Sequence, residues 1–184
     1  MNSRQALRAA TLVLTLGLAT ACGGTRYVHV GPNWAAAHEL EASKDGFEVR
    51  ARVPDAAKVG TKVQLEVESA RSGQLWVMQV DAADEATLVY PNDAEAEHAI
   101  SAETPLVLPA ADASWSFEVV EPLGASLFVF IVTEPGTSLE EVLETARTPD
   151  GSKAALPKAL RVVETAPDGR WGLDKVMMEV EDAH

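Results

Sequence analysis

The 184-residue chain holds one cysteine, Cys22, which excludes any intramolecular disulfide. No stretch approaches the roughly 20 apolar residues of a permanent membrane-spanning helix. The run from Ala9 to Ala19, interrupted by Thr11, Thr15 and Gly17, falls well short of it. Basic residues are scarce: 15 Lys and Arg stand against 28 Asp and Glu, a net charge of −13. That balance argues against nucleic acid and anionic lipid headgroups as partners, because both require clusters of positive charge. The four histidines, His29, His38, His98 and His184, form no pair at metal-ligand spacing, and His38-Glu39 has no second histidine four residues after the first. Gly124-Ala125-Ser126 and Gly136-Thr137-Ser138 do not make a Gly-x-Ser-x-Gly elbow, and no glycine-rich phosphate loop occurs. No catalytic residue, cofactor or metal ligand is therefore assigned from sequence. The densest acidic cluster, Asp93, Glu95, Glu97 and His98, lacks the Asp/Asn ladder and glycine of a calcium loop. It is expected to be a solvated loop, with a weak divalent site as the alternative.

What is present at the start is a three-part layout: Arg4 and Arg8, then the apolar run, then small residues leading to Cys22. This is the plan of an exported chain's signal peptide. Ala19-Thr20-Ala21-Cys22 resembles the lipobox of bacterial lipoproteins, with Ala19 where Leu is usual and Leu18 one place earlier. The resemblance implies cleavage before Cys22 and lipid on its thiol, which also gives purpose to a lone cysteine in an oxidising compartment. Gly23 stands where the inner-membrane retention signal would place Asp, so the resemblance favours the outer membrane, with the domain facing the periplasm. Residues 1–21 are thus expected to be signal peptide, 22–45 a lipidated tether with a short helix beginning near Asn33, and 46–184 one domain.

From Gly46 the hydrophobic period becomes two. Phe47, Val49, Ala51 and Val53 alternate with charged residues, as do Val63, Leu65 and Val67, and both segments predict half-buried strands. Leu75 to Val80 and Leu127 to Val132 are nearly continuous apolar runs of strand length, predicting central strands covered on both faces. Shorter strands are expected at Thr87 to Tyr90, Leu106 to Leu108 and Ser116 to Val120, and a last one at Val176 to Val180. Ser138-Leu139-Glu140-Glu141 is a capping box that predicts a helix to Arg147, and Leu160 to Glu164 is a further possible strand. The expected fold is mainly all-β: a two-sheet antiparallel β-sandwich of about seven or eight strands with one or two short helices.

Gly73-Gln74-Leu75-Trp76-Val77-Met78-Gln79-Val80-Asp81, followed by Thr87-Leu88-Val89-Tyr90-Pro91-Asn92, resembles a bacterial envelope domain of unknown function. That family has a Gly-Tyr-Leu-Tyr strand running into an acidic turn, then a strand ending in aromatic-Pro-Asn. Leu108-Pro109, Pro122-Leu123-Gly124 and Val132-Thr133 continue the agreement, while Gln74 replaces the usual Tyr and Ala82-Ala83-Asp84-Glu85 lacks the usual turn glycine. Such domains occur in lipoproteins and beside kinases, caspase-like peptidases and peptidoglycan-binding modules. The resemblance implies an accessory or recognition part and carries over no catalytic residues.

Aromatics supply large contact area at low entropic cost, so Trp76, Tyr90 and Trp115, with Asn92 of the signature, are the candidate interaction residues. In a small β-domain, Trp76 and Tyr90 are more often core. The expected role is a noncatalytic interaction or assembly module at the cell envelope, reached through lipid on Cys22, with an envelope protein or polymer as partner. Two rivals stand beside it. One is a purely structural spacer; the other is a cell-wall hydrolase with carboxylates from Asp81 to Glu85 and Asp93 to Glu97 facing one cleft.

Overall fold

A computed structural model describes residues 31–135 and 170–184. The signal peptide, Cys22, the Ser138 to Arg147 helix and the Leu160 to Glu164 strand lie outside the described residues. The chain begins with helix α1 (Pro32–Glu39), then strands β1 (Val49–Arg52), β2 (Ala56–Lys58), β3 (Lys62–Val63) and β4 (Leu65–Ser69). There follow β5 (Gly73–Val80), β6 (Ala86–Tyr90), β7 (Ala99–Ile100), β8 (Leu106–Leu108) and β9 (Phe117–Glu118). Two long strands, β10 (Gly124–Thr133) and β11 (Trp171–Glu181), complete it.

The two apolar runs lie side by side at the centre of the larger sheet, whose order is β2-β11-β10-β5-β6, with β7 also paired to β5. Alternation explains why neither run alternates in polarity. Leu75, Val77, Phe128, Phe130 and Val132 pack into one hydrophobic cluster with Val49, Leu65 and Val67 of the smaller sheet, β1-β4-β8. Trp76, Met78, Val80, Leu127, Val129 and Ile131 point the other way and join Trp34, Ala37 and Leu40. Both faces are dry, so both parities must be apolar. The architecture is the expected β-sandwich with a helix on the outer face of its larger sheet.

Three details differ from expectation. The strand foreseen across Lys62 to Glu68 breaks at Gln64: β3 pairs with β9 in a two-stranded ribbon, while β4 joins β1 and β8. One pairing is parallel, β2 against β11. The chain leaves β1 in the smaller sheet and crosses at Pro54-Asp55, then reaches the edge of the larger sheet running in the same sense as β11. The last strand starts at Trp171 rather than Val176, because its first half is ordered by pairing with β10 from Leu173↔Ile131 to Trp171↔Thr133. Gly172 passes so close to β1 that an added Cβ would lie 2.2 Å from the Phe47 carbonyl oxygen.

Helix α1 carries little amphipathic signal, and its position is set by packing and by its ends. Gly31, not Asn33, occupies the N-cap position, with Pro32 in the first turn, where its missing N–H is no loss. The cap comes from fifty residues away. Asp84, in the β5–β6 turn, accepts the Trp34 N–H at 2.8 Å and the Asn33 N–H at 3.3 Å, and its carbonyl accepts the Asn33 side-chain amide at 2.7 Å. A carboxylate there also suits the positive end of the helix dipole. At the other end the Lys175 ammonium donates to the His38 carbonyl. Burial pushes that ammonium below the usual lysine range, with Glu41 opposing the shift.

Candidate interaction site around Trp115

Tyr90, the last residue of β6, turns inward and is 2% exposed. Its hydroxyl donates to the Glu97 carbonyl at 2.8 Å and lies 3.3 Å from Glu95 Oε1. Burial, reinforced by the negative charge of Glu95 and its hydrogen bond, pushes the phenol well above the usual tyrosine range. Asn92 then shapes the loop. Its side-chain oxygen accepts the N–H groups of Ala94 and Glu95, both at 3.0 Å, and its amide donates to the Val89 carbonyl at 3.3 Å. Two backbone bonds between Asn92 and Glu95, each 3.1 Å, close the turn. The aromatic-Pro-Asn signature therefore has a structural reading: an anchor in the core, a strand end at Pro91, and a side chain that folds the loop back.

That fold-back brings Glu95 to Trp115, twenty residues on. Glu95 Oε2 accepts the indole N–H at 3.0 Å, while its other oxygen faces Tyr90. The Trp115 ring stacks on Tyr90 at a centroid distance of 6.4 Å and 21° between planes. Phe117 meets it edge-on at 4.8 Å and 89°. Trp115 is half-buried, with Ser114 and Ser116 exposed on either side. The arrangement is an aromatic plate held by its edge and by one face.

Of the four candidate residues, Tyr90, Asn92 and Trp115 come together. Trp76 does not: it lies on the opposite face of the larger sheet, 2% exposed, its indole N–H 3.4 Å from Thr133 Oγ1 and its ring 4.5 Å from that of His98. Sequence reading passed over two residues that matter here, Glu95 and Phe117. Glu95 was one acid in an acidic loop, and nothing in its spacing announced a bond to an indole twenty residues later. The expectation of a merely solvated loop fits exposed Asp93 and Glu97 and must be corrected for Glu95.

The two acidic segments proposed to face one cleft stand at opposite ends of β6, a strand of five residues spanning about 16 Å. Within the first, Asp84 is 1% exposed and committed to α1, and Asp81 Oδ1 accepts the N–H groups of Ala83 and Glu85. Among the described residues no three His, Cys, Asp or Glu side chains are placed to hold a metal, and no helix is long and apolar enough to cross a membrane.

The fold and this loop end define a small β-rich domain. Residues 56–135 match the family described as "Domain of unknown function (DUF4384)". No curated protein and no solved structure matches the chain. The matched segment runs from β2 to β10, yet β11, which lies between those two strands in the sheet, falls outside it.

Proposed function

We propose that this chain is a noncatalytic interaction module of the bacterial cell envelope, exported by its first 21 residues, anchored by lipid on Cys22 and facing the periplasm from the outer membrane. The supporting observation is how the acids of the two loops are used. Asp84 caps a helix and Glu95 fixes an indole, while the two loops lie at opposite ends of β6. Hydrolysis by paired carboxylates calls for two such groups across one cleft in contrasting environments. What the loop end offers instead is a half-buried aromatic held by Glu95 and Tyr90, of the residue type that anchors interfaces. The partner on this reading is an envelope protein or polymer.

Affinity capture from crosslinked envelopes tests it. Wild-type chain should retain a specific partner that a Trp115→Ala variant loses. Release of muropeptides from purified cell wall by the isolated domain would overturn the reading.

A further inference from the structure

We infer that the end of the sandwich bearing Val120 and Leu123, with Met177 beside it, rests on the membrane that holds the chain, its apolar side chains set among zwitterionic lipid headgroups. The inference rests on the reading that Cys22 carries the lipid, and it adds which surface of the domain faces the bilayer.

The first observation is where the chain enters the domain. Gly31 lies against the β5–β6 turn: an added Cβ would come 2.0 Å from Asp84 Cγ, and Asp84 accepts the N–H groups of Asn33 and Trp34. Gly124, at the start of β10, meets the same turn, where its Cβ would lie 3.1 Å from that of Ala82. The tether and the loop 120–123 therefore share one end of the larger sheet. From Cys22 to Gly31 the chain extends at most about 30 Å, while β10 alone runs about 33 Å from Gly124 to Thr133. So short a leash keeps this end nearest the bilayer.

The second observation is what that end exposes. Among the described residues four large apolar side chains are exposed, Val107, Val120, Leu123 and Met177. Single surface apolars need no explanation. Here, however, Val120 at 64% and Leu123 at 47% exposure flank one short loop, separated by Glu121 and Pro122. Met177, 58% exposed, pairs with Leu127, three residues into β10 and about 10 Å from Gly124, on the sheet face that carries α1. Side chains placed this way gain by entering the headgroup region, in proportion to the apolar area they bury.

Charge then selects the kind of surface. Glu85 and Glu121 are exposed at this end, so anionic headgroups repel it and zwitterionic ones do not. Two or three apolar side chains bind weakly alone, but a tether holds them at high effective concentration. The same placement turns Tyr90 and Trp115, at the other end of β6, away from the bilayer, where a partner reaches them.

The test couples the thiol of Cys22, in the isotope-labelled chain from residue 22 onward, to a maleimide lipid in phosphatidylcholine nanodiscs that carry a gadolinium-chelate lipid. Amide broadening is read in proton–nitrogen correlation spectra. Chemical coupling makes the result independent of whether the cell lipidates that thiol. Broadening should be strongest at Val120, Leu123 and Met177, several-fold above that at Thr133, at the far end of β10, and at Val107, which points out of the smaller sheet between Leu106 and Leu108 of the core. Val120→Ser with Leu123→Ser should erase most of that contrast and leave the melting temperature nearly unchanged, because both side chains are exposed. Val107→Ser should leave the contrast intact, and adding phosphatidylglycerol should weaken it. Even broadening over the domain, a maximum on another surface, or a contrast that the double variant keeps overturns the inference. Dimers formed without lipid and dissolved by the double variant would also overturn it, by assigning the patch to a second copy. If the coupled chain behaves as expected but Cys22→Ser stays on membranes in cells, the anchor reading fails; even broadening beside lipid proven on Cys22 sinks the surface instead.

Discussion

Asp84 and Trp34 are joined by a 2.8 Å hydrogen bond from the Trp34 backbone N–H to the Asp84 carboxylate, and it fixes helix α1 on the outer face of the larger sheet. Gly31 faces that carboxylate so closely that an added Cβ would sit 2.0 Å from Asp84 Cγ. Asp84 also has φ of 64°, in the left-handed region that favours glycine. Aspartate is among the few residues that tolerate such a conformation, and here its side chain gains a helix cap.

Asp84→Ala should therefore cost about 2 kcal/mol, the upper range for losing an N-cap, because alanine also dislikes positive φ. Asp84→Asn, which keeps both the conformation and an acceptor, should cost less than half as much. Urea denaturation of the two variants checks the order; equal losses would mean that the carboxylate charge at the helix N-terminus, not the backbone angle or the acceptor, sets the cost.

Phe130 is fully buried in β10 between the two sheets. Truncation to alanine should remove about 3 to 5 kcal/mol, a large part of a small domain's stability. Thermal melting should show an unfolded or barely folded protein, and an unchanged midpoint would contradict the burial.

Tyr90 should make the fold alkali-sensitive. Its pKa is raised in the folded state by burial first and by Glu95 next. Below the ordinary tyrosine value of about 10 both states keep the proton and its contribution is whole. Above that the unfolded chain loses its proton first, so stability declines as pH rises. In a Tyr27→Phe background the remaining tyrosinate absorbance should appear together with unfolding; ionisation near pH 10 in a folded protein would refute this.

The acidic loop should divide in two. Asp93→Asn with Glu97→Gln should change stability by no more than about 0.5 kcal/mol each, as surface changes do. Glu95→Gln, which weakens the bridge between Trp115 and Tyr90, should cost about 1 kcal/mol. Millimolar calcium should leave the wild-type melting temperature unmoved, since a bound ion would stabilise the folded form by mass action. A calcium-dependent rise restricted to the wild type would establish a metal site.

Cys22→Ser should release the chain from membranes, because lipid on that thiol is the proposed anchor. Fractionation and labelled fatty acid report it together. Label persisting on the variant would place the lipid elsewhere.

Local pattern determined the central strands β5 and β10 and the alternating β1 and β4, but not β2, β7 or the first half of β11. Apolar alternation in Val49 to Val53 and unbroken apolar runs at Leu75 to Val80 and Leu127 to Val132 follow from side chains pointing alternately to opposite faces, so one covered face or two is written in the period. The same sequence contains no local sign that Trp34 needs Asp84, that Glu95 will meet Trp115, or that Trp76 and Tyr90 lie on opposite sides of one sheet. Those relations link residues 14 to 50 apart and depend on how the strands are ordered and registered. A carboxylate looks the same in sequence whether it will cap a helix, brace an indole or face water. Only the tertiary structure decides which, by supplying or withholding the donor that makes its burial favourable.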